Sequence, residues 1–355
     1  MSDTPTQGPL RGLRVLEFAG IGPGPHCAML LADLGAEVLR IEREGGNGWP
    51  NPVVDRGRKR LTLDIRSDAG RERCLALAEN ADVLIEGFRP GVMERLGLGP
   101  QPMHARNPRL VYGRMTGWGQ DGPLAHSAGH DINYLALSGA LAAIGTPDGP
   151  ATPPLNLVGD FGGGSLYLAF GILAALWERE RSGQGQVVDA AIVDGVSSMM
   201  SFFAGLLPGG RISLERERNL LGGAAPHYRC YRCADGREIA IGPLEPQFLA
   251  ELLRRIEAPA ELLAGCADPD HWPEQGRELA DLFARKTQAE WCALLEGSDA
   301  CFAPVLTLAE AARHPHMRQR GVYRDIDGVL HAAPAPRFSR TPGAIRGSVA
   351  ANDWD

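Results

Sequence analysis

The sequence predicts an α/β protein: a large domain built on a parallel sheet with helices on both faces, followed by a smaller α+β domain. Three observations carry this. Short apolar runs alternate with helical spacing through the first half of the chain. Glycine and proline mark the junctions between them. The pattern changes after a Gly/Pro/Arg-rich stretch at residues 207–218. A length of 355 residues gives a prior of two domains, and 44% apolar against 22% charged residues is ordinary for a globular chain.

The elements follow in order. Residues 13–19 (LRVLEFA) read as a strand, Gly20 to Pro25 as a tight loop, and His26 to Leu34 as a helix closed by Gly35. Residues 36–42 and 61–65 read as strands, and Ser67 caps a helix reaching about Asn80. Residues 82–86 and 110–115 read as further strands. Short apolar runs separated by helices indicate a parallel sheet with helices on both faces. Spacing is helical from Gly129 to about Ile144, and Gly162 to Glu180 reads as an apolar, central helix. Residues 187–192 resemble a strand leading into a helix at 197–203. Beyond the boundary, residues 228–241 read as a hairpin turning at Ala234-Asp235-Gly236. Helices follow at 246–256, 277–284 and 289–296, and a proline-rich tail at 332–342 returns as extended chain.

Composition narrows the chemistry. Lys+Arg is 36 and Asp+Glu 43, and the net charge of −7 argues against a nucleic-acid partner. Only Lys59 and Lys286 are lysines, each beside an arginine on a polar stretch, which disfavours Schiff-base chemistry. Seven scattered cysteines suggest reduced thiols and a cytoplasmic protein. The N-terminal stretch through Arg11 has no signal core, and the longest apolar run, Leu166 to Trp177, is short for a bilayer, so no membrane partner is expected.

Several motifs have two readings. Gly20-x-Gly22-x-Gly24 between strand and helix suggests a dinucleotide site. The G-x-G-x-x-G spacing fails at Pro25, however, and two prolines remove N–H donors. The plainer reading is a sharp turn. Cys230-x-x-Cys233 stands without a second pair, so zinc is not expected. His130, after Gly129, falls at a helix start where unpaired N–H groups suit a developing negative charge; on spacing alone the plainer reading is a solvated residue in a capping region. Asp160 precedes three glycines, which cost helix stability and imply close backbone approach. It reads as a base with raised proton affinity, or as an N-cap.

Four stretches taken together carry a resemblance: Gly20-Ile21-Gly22-Pro23-Gly24-Pro25, Gly129-His130-Asp131-Ile132-Asn133-Tyr134, Gly159-Asp160-Phe161-Gly162-Gly163-Gly164 and Glu245-Pro246-Gln247-Phe248. Residues 114–120 and 334–339 support them. The chain, from about Pro9 to Ser339, resembles the α-methylacyl-CoA racemases of the family III CoA-transferase (CaiB/BaiF) superfamily. It departs at Ala224-Ala225-Pro226-His227-Tyr228, where a Gly-Ala-Pro-Tyr-Tyr-like run is expected, which bears on the acyl pocket.

The resemblance implies a large Rossmann-like CoA-binding domain at 1–190 with a return at 333–355. It also implies a linker at 191–220, a small α+β domain at 221–315 and a return linker at 316–332. It implies inversion at C2 of a 2-methylacyl-CoA by His130 and Asp160 acting from opposite faces, with no metal or organic cofactor. The Asp131 backbone N–H would hold the thioester oxygen and Glu245 would orient His130. CoA contacts are implied at Arg43, Leu63, Asp64, Ile65, Arg66, Arg89 and Arg95, with Gly129, Ile132, Asn133 and Tyr134 along the pantetheine. An interlocked homodimer is implied, the small domain of one subunit covering the large domain of the other. The rival is a CoA-transferase in which Asp160 attacks the thioester as a nucleophile. A nicotinamide oxidoreductase and a non-catalytic CoA scaffold are the more distant readings.

Overall fold

The computed structural model describes residues 8–46 and 49–354. Residues 1–7, part of the stretch read as lacking a signal core, lie outside them. The chain divides into two compact units: Met1–Ser138 with Leu155–Met199 and His316–Asp355, and Gly139–Pro154 with Met200–Pro315.

The first unit is built on a seven-stranded parallel sheet. Its strands are β1 (Arg14–Phe18), β2 (Glu37–Glu42), β3 (Arg58–Thr62), β4 (Val83–Glu86), β5 (Val111–Thr116), β6 (Val187–Ala191) and, from the C-terminal return, β12 (Val349–Ala350). The order is β12-β3-β2-β1-β4-β5-β6, and every pairing is parallel. Leu16, Leu39, Leu84 and Tyr112 form one core with helix α2 (Asp68–Ala78), and Trp354 closes it. Ser67 caps α2 as expected, accepting from the Gly70 N–H at 3.0 Å.

Differences from the sequence reading have physical causes. Helix α1 spans Pro23–Asp33, three residues earlier than expected, because prolines in a first turn forfeit no helical hydrogen bond. Strand β3 begins at Arg58 rather than Leu61. Arg58 is buried on the sheet because Glu17, equally buried, accepts from its Nε at 3.0 Å, and charge in a strand passes for loop until its partner is known. Between β4 and β5 lie short helices α3 (Val92–Arg95) and α4 (Pro100–Arg106). The helix expected over 129–144 is α5 (Asp131–Leu137) and a separate 3₁₀ turn at Leu141–Ala143, broken at Gly139 with φ +84°.

The expected central helix begins with a nine-residue π-helix, Leu157–Ser165, and runs on as α6 (Leu166–Ser182). Helix α7 (Ile192–Met199) packs against the π-helix, earlier than the helix read at 197–203, and α8 (Ser201–Leu206) follows. The glycines make that packing fit: a Cβ on Gly163 would lie 2.6 Å from Val196 Cγ2, and one on Gly195 would lie 1.9 Å from the Gly163 carbonyl oxygen. By length and composition the continuous stretch 157–182 could cross a membrane, as could 192–209. The expectation from Leu166–Trp177 alone covered only part of that length.

The second unit holds an antiparallel sheet, β7 (Arg229–Arg232), β8 (Glu238–Ile241) and β9 (Phe302–Pro304). Its hairpin turns through Gly236 at φ +77°. Cys230 is exposed and Cys233 buried; an odd separation on extended chain sends neighbours to opposite faces. Helices α9 (Pro246–Arg255), α10 (Trp272–Phe283) and α11 (Gln288–Leu295) enclose a core containing Tyr231, Ile239, Leu252, Phe283 and Trp291. Helix α10 starts five residues before the reading of 277, with proline again in the first turn. In the first unit, the tail forms a hairpin, β10 (Tyr323–Ile326) and β11 (Val329–Ala332), before reaching β12.

Candidate active site

The strand order reverses direction at β1, which lies between β2 and β4. Open parallel sheets take ligands in the crevice at the carboxyl ends of the strands beside such a point. The loop after β1 holds Gly22 at φ +71°, where a Cβ would come within 3.3 Å of Asp160 Oδ2. The glycine loop is therefore a sharp turn that admits a carboxylate.

Asp160 is the fourth residue of the π-helix, whose N-cap is Asn156, so the N-cap reading of Asp160 does not hold. Its Oδ2 accepts from Asn156 Nδ2 at 3.2 Å. Burial raises its pKa, the charge of Asp131 adds to the rise, and Asn156 and His130 oppose it. The π-helix is held from α1 as well: His26 Nδ1 and Ser165 Oγ are 2.7 Å apart, and the His26 ring lies 4.6 Å from that of Phe161. Burial, reinforced by Arg58 and Arg56, lowers the His26 pKa to about 4, so this imidazole is neutral.

His130 is the exposed N-cap of α5. Its N–H donates to Asn133 Oδ1 at 3.0 Å, and its carbonyl accepts from the Asn133 N–H at 2.8 Å. Among the described residues, no protein acceptor meets the N–H groups of Asp131 and Ile132, as expected at positions that precede the first helical acceptor. The loop before His130 is fixed by Tyr134. Its hydroxyl donates to the Gly129 carbonyl at 2.5 Å, and its ring meets Trp118 edge-on at 4.7 Å. A Cβ on Gly117 would fall 2.0 Å from Tyr134 Cζ, so that position requires glycine.

The Asp131 side chain, 8% exposed, joins the two halves. Its Oδ1 accepts from the Asp160 N–H at 2.6 Å, and the carboxylate also accepts from the Gly159 N–H. A Cβ on Gly159 would lie 2.1 Å from Oδ1. The opening N–H groups of one helix are thus capped by a carboxylate borrowed from another. Sequence reading assigned Asp131 a backbone role and missed its side chain. It also missed Asn156, although the Asn156/Asp160 spacing of four is a helical contact signal.

The implied CoA contacts at Arg43, at 63–66 and at Arg89 follow the carboxyl ends of β2, β3 and β4. Arg43, Arg89 and Arg95 are exposed, and Arg43 Nε donates to the Gly46 carbonyl at 2.9 Å. Arg89 stands close enough to Tyr134 to stabilise its phenolate electrostatically. Leu63 and Ile65 pack their side chains on the core, leaving the backbone to a ligand. Asp64 Oδ1 accepts from the Arg66 N–H at 3.0 Å. Ile132, in the first turn of α5, is exposed. Glu245 belongs to the second unit, exposed at the N-cap of α9, and its charge acts on Cys301. Cys301 lines an open surface depression of about 740 Å³ with Tyr228, Gly242 and Phe302. Buried His227 has no partner for Nδ1 among the described residues.

The family model for CoA-transferase family III matches residues 10–349. An alpha-methylacyl-CoA racemase of Mus musculus is 47% identical over 334 residues, covering 94% of this chain and 87% of that protein. One of Homo sapiens is 44% identical, again over 94% and 87%. A CAIB/BAIF family protein from Brucella suis superposes with a TM-score of 0.83 at 26% identity, over 98% and 97% of the two chains.

Proposed function

The chain belongs to CoA-transferase family III, and from that premise we infer that it inverts C2 of 2-methylacyl-CoA thioesters by 1,1-proton transfer. The observation that carries the reading is the Asp131–Asp160 hydrogen bond of 2.6 Å, which ties the residue after His130 to the backbone of Asp160. The two helix starts that carry an imidazole and a carboxyl are thereby tethered, and the charge of His130 acts on Asp160. Inversion needs two such groups, because one base returning its own proton restores the original hand.

In one direction neutral His130 takes the α-proton. The C–H electron pair moves into the C1–C2 bond, the thioester carbonyl becomes an enolate, and protonated Asp160 delivers a proton to the opposite face of C2. In the other direction ionised Asp160 takes the proton and the His130 imidazolium returns one. Each positioned acid or base contributes roughly 10²–10⁴-fold. Burial raises the Asp160 pKa and so populates its acid form. The unpaired Asp131 N–H supplies a donor for the enolate oxygen; one such donor is worth about 3–4 kcal/mol. These steps use side chains and backbone alone, and the proposed reaction calls for no metal or organic cofactor.

An interlocked homodimer completes the proposal. Leu166, Phe170 and Trp177 recur at helical spacing on α6 and are 53%, 72% and 70% exposed. So wide an apolar stripe requires a cover. A second copy is the proposed cover, its second unit bringing Glu245 to His130, where a carboxylate orients the imidazole and stabilises its cation. Arginines after the strands suit the phosphates of CoA. Seven free thiols suit a cytoplasmic setting.

The deciding experiment incubates one enantiomer of a 2-methylacyl-CoA with the protein in D₂O. Incorporation of deuterium at C2 together with racemisation is expected. Thioester exchange that requires an added free acid and leaves the stereocentre untouched would establish the transferase instead. Sedimentation of the protein alone should report a dimer.

A further inference from the structure

We propose that the Asp131 side chain is a positioning residue, whose buried carboxylate, by holding the N–H groups of Gly159 and Asp160, fixes where the Asp160 carboxyl stands relative to the His130 imidazole. The inference rests on the proton-transfer reading above and adds a group that acts through another. Three observations support it. The hydrogen bond to the Asp160 N–H is 2.6 Å long and spans 29 positions in sequence. The glycine at 159 is required by the same carboxylate, since a Cβ there would overlap Oδ1 at 2.1 Å. The N–H groups it occupies open the π-helix, where a negative charge is favourable. Among the described residues two further side-chain tethers hold this wide turn: Asn156 donates to the Asp160 side chain, and His26 holds Ser165 five residues on.

The carboxylate also acts through its charge. The titratable groups facing Asp160 are His130, Asp131 and Tyr134 from α5. From α1, the His26 ring lies tilted against the adjoining Phe161, and the charge of Arg58 acts on it. From α7, Asp194 instead influences Asp189. Asp131 is the neighbour that raises the Asp160 pKa. Removing its charge lowers that pKa. The state with neutral His130 and protonated Asp160 then becomes rarer, and both reaction directions slow together because their ratio is set by the overall equilibrium. At the same time Asp160 stays ionised to lower pH, so the acid limb of the rate profile moves down.

The experiment compares wild type with Asp131→Asn, Asp131→Ala and Gly159→Ala. Asp131→Asn keeps an oxygen acceptor and loses the charge. Its kcat should fall, with KM for the acyl-CoA nearly unchanged and the acid limb displaced to lower pH. Asp131→Ala and Gly159→Ala should lose kcat by about 10²-fold, the scale of a misplaced reacting group, while CoA binding persists. A carbon-13 NMR titration of the Asp160 carboxyl in Asp131→Asn reads the same displacement without turnover. Wild-type kcat in Asp131→Asn, or an unmoved acid limb and NMR midpoint, would overturn this inference while leaving the racemase reading intact. Failure of wild type to exchange the α-hydrogen would overturn that reading, and the NMR midpoint would still decide the role of Asp131.

Discussion

Asn156 donates through Nδ2 to Asp160 Oδ2 at 3.2 Å, one helical turn away. This bond favours the ionised carboxylate and opposes the rise caused by burial. Replacing Asn156 with Ala therefore raises the Asp160 pKa further. The acid limb of kcat/KM should move to higher pH, opposite to the displacement in Asp131→Asn. Loss of a hydrogen bond to a charged group sets the scale of the activity loss at the acid end at roughly tenfold. A pH series of racemisation rates checks it.

His130→Ala and Asp160→Ala should each lower racemisation by about 10²–10⁴-fold. The double variant should be little worse than either single one, as the proposed mechanism has the two groups act as a unit. CoA affinity, measured by calorimetry, should stay within about twofold, since neither exchange removes a phosphate contact. Full activity in both variants would refute the two-base assignment.

Asp160→Asn should be inactive yet no less stable. The folded-state pKa of Asp160 is raised, so its stability contribution is full at low pH and is lost as pH rises through that value. Above that raised value the folded protein carries an ionised carboxyl it disfavours, and the amide removes that cost. Melting temperature above pH 7 should be equal to or higher than wild type; a drop of several degrees would contradict the account.

His26 is held neutral, with its pKa lowered from 6.5 to about 4. The unfolded chain takes up a proton on this residue below 6.5 while the folded one does not, so stability falls as pH drops through that window. The full span corresponds to about 3 kcal/mol. His26→Asn, which keeps a polar atom near the Nδ1 position, should flatten that part of the curve. Urea titrations between pH 7 and pH 4 test it.

Gly195→Ala should be among the costlier small substitutions. Its Cβ would stand 1.9 Å from the Gly163 carbonyl oxygen, where backbone must move. Overpacking of this kind costs about 1–3 kcal/mol. Because α7 packs on the π-helix that carries Asp160, kcat should drop along with the melting temperature. Gly236→Ala is the control: it meets nothing within 4 Å and adds only turn strain, in the second unit.

Much of the fold was legible because parallel strands buried on both sides leave short apolar runs, as at Val83, Leu84 and Ile85 of β4. Ser67 and the Asp235-Gly236 turn were legible for a similar reason: caps and turns are local chemistry. Motif context singles out His130 and Asp160 as candidates, and the three glycines announce a close approach without saying of what. The identity of the neighbour was decided in three dimensions. Arg58 enters a strand because Glu17 waits beside it, and Gly159 is glycine because Asp131 occupies the space a methyl would need. A π-helix rather than an α-helix was equally out of reach, since one additional residue per turn leaves composition unchanged. Local sequence thus determined which segments become strands, helices and turns, because those preferences act over a few residues. Which carboxylate caps which backbone, and what surrounds Asp160, was settled only when segments distant in the chain packed together, because desolvation and hydrogen-bond geometry depend on neighbours in space.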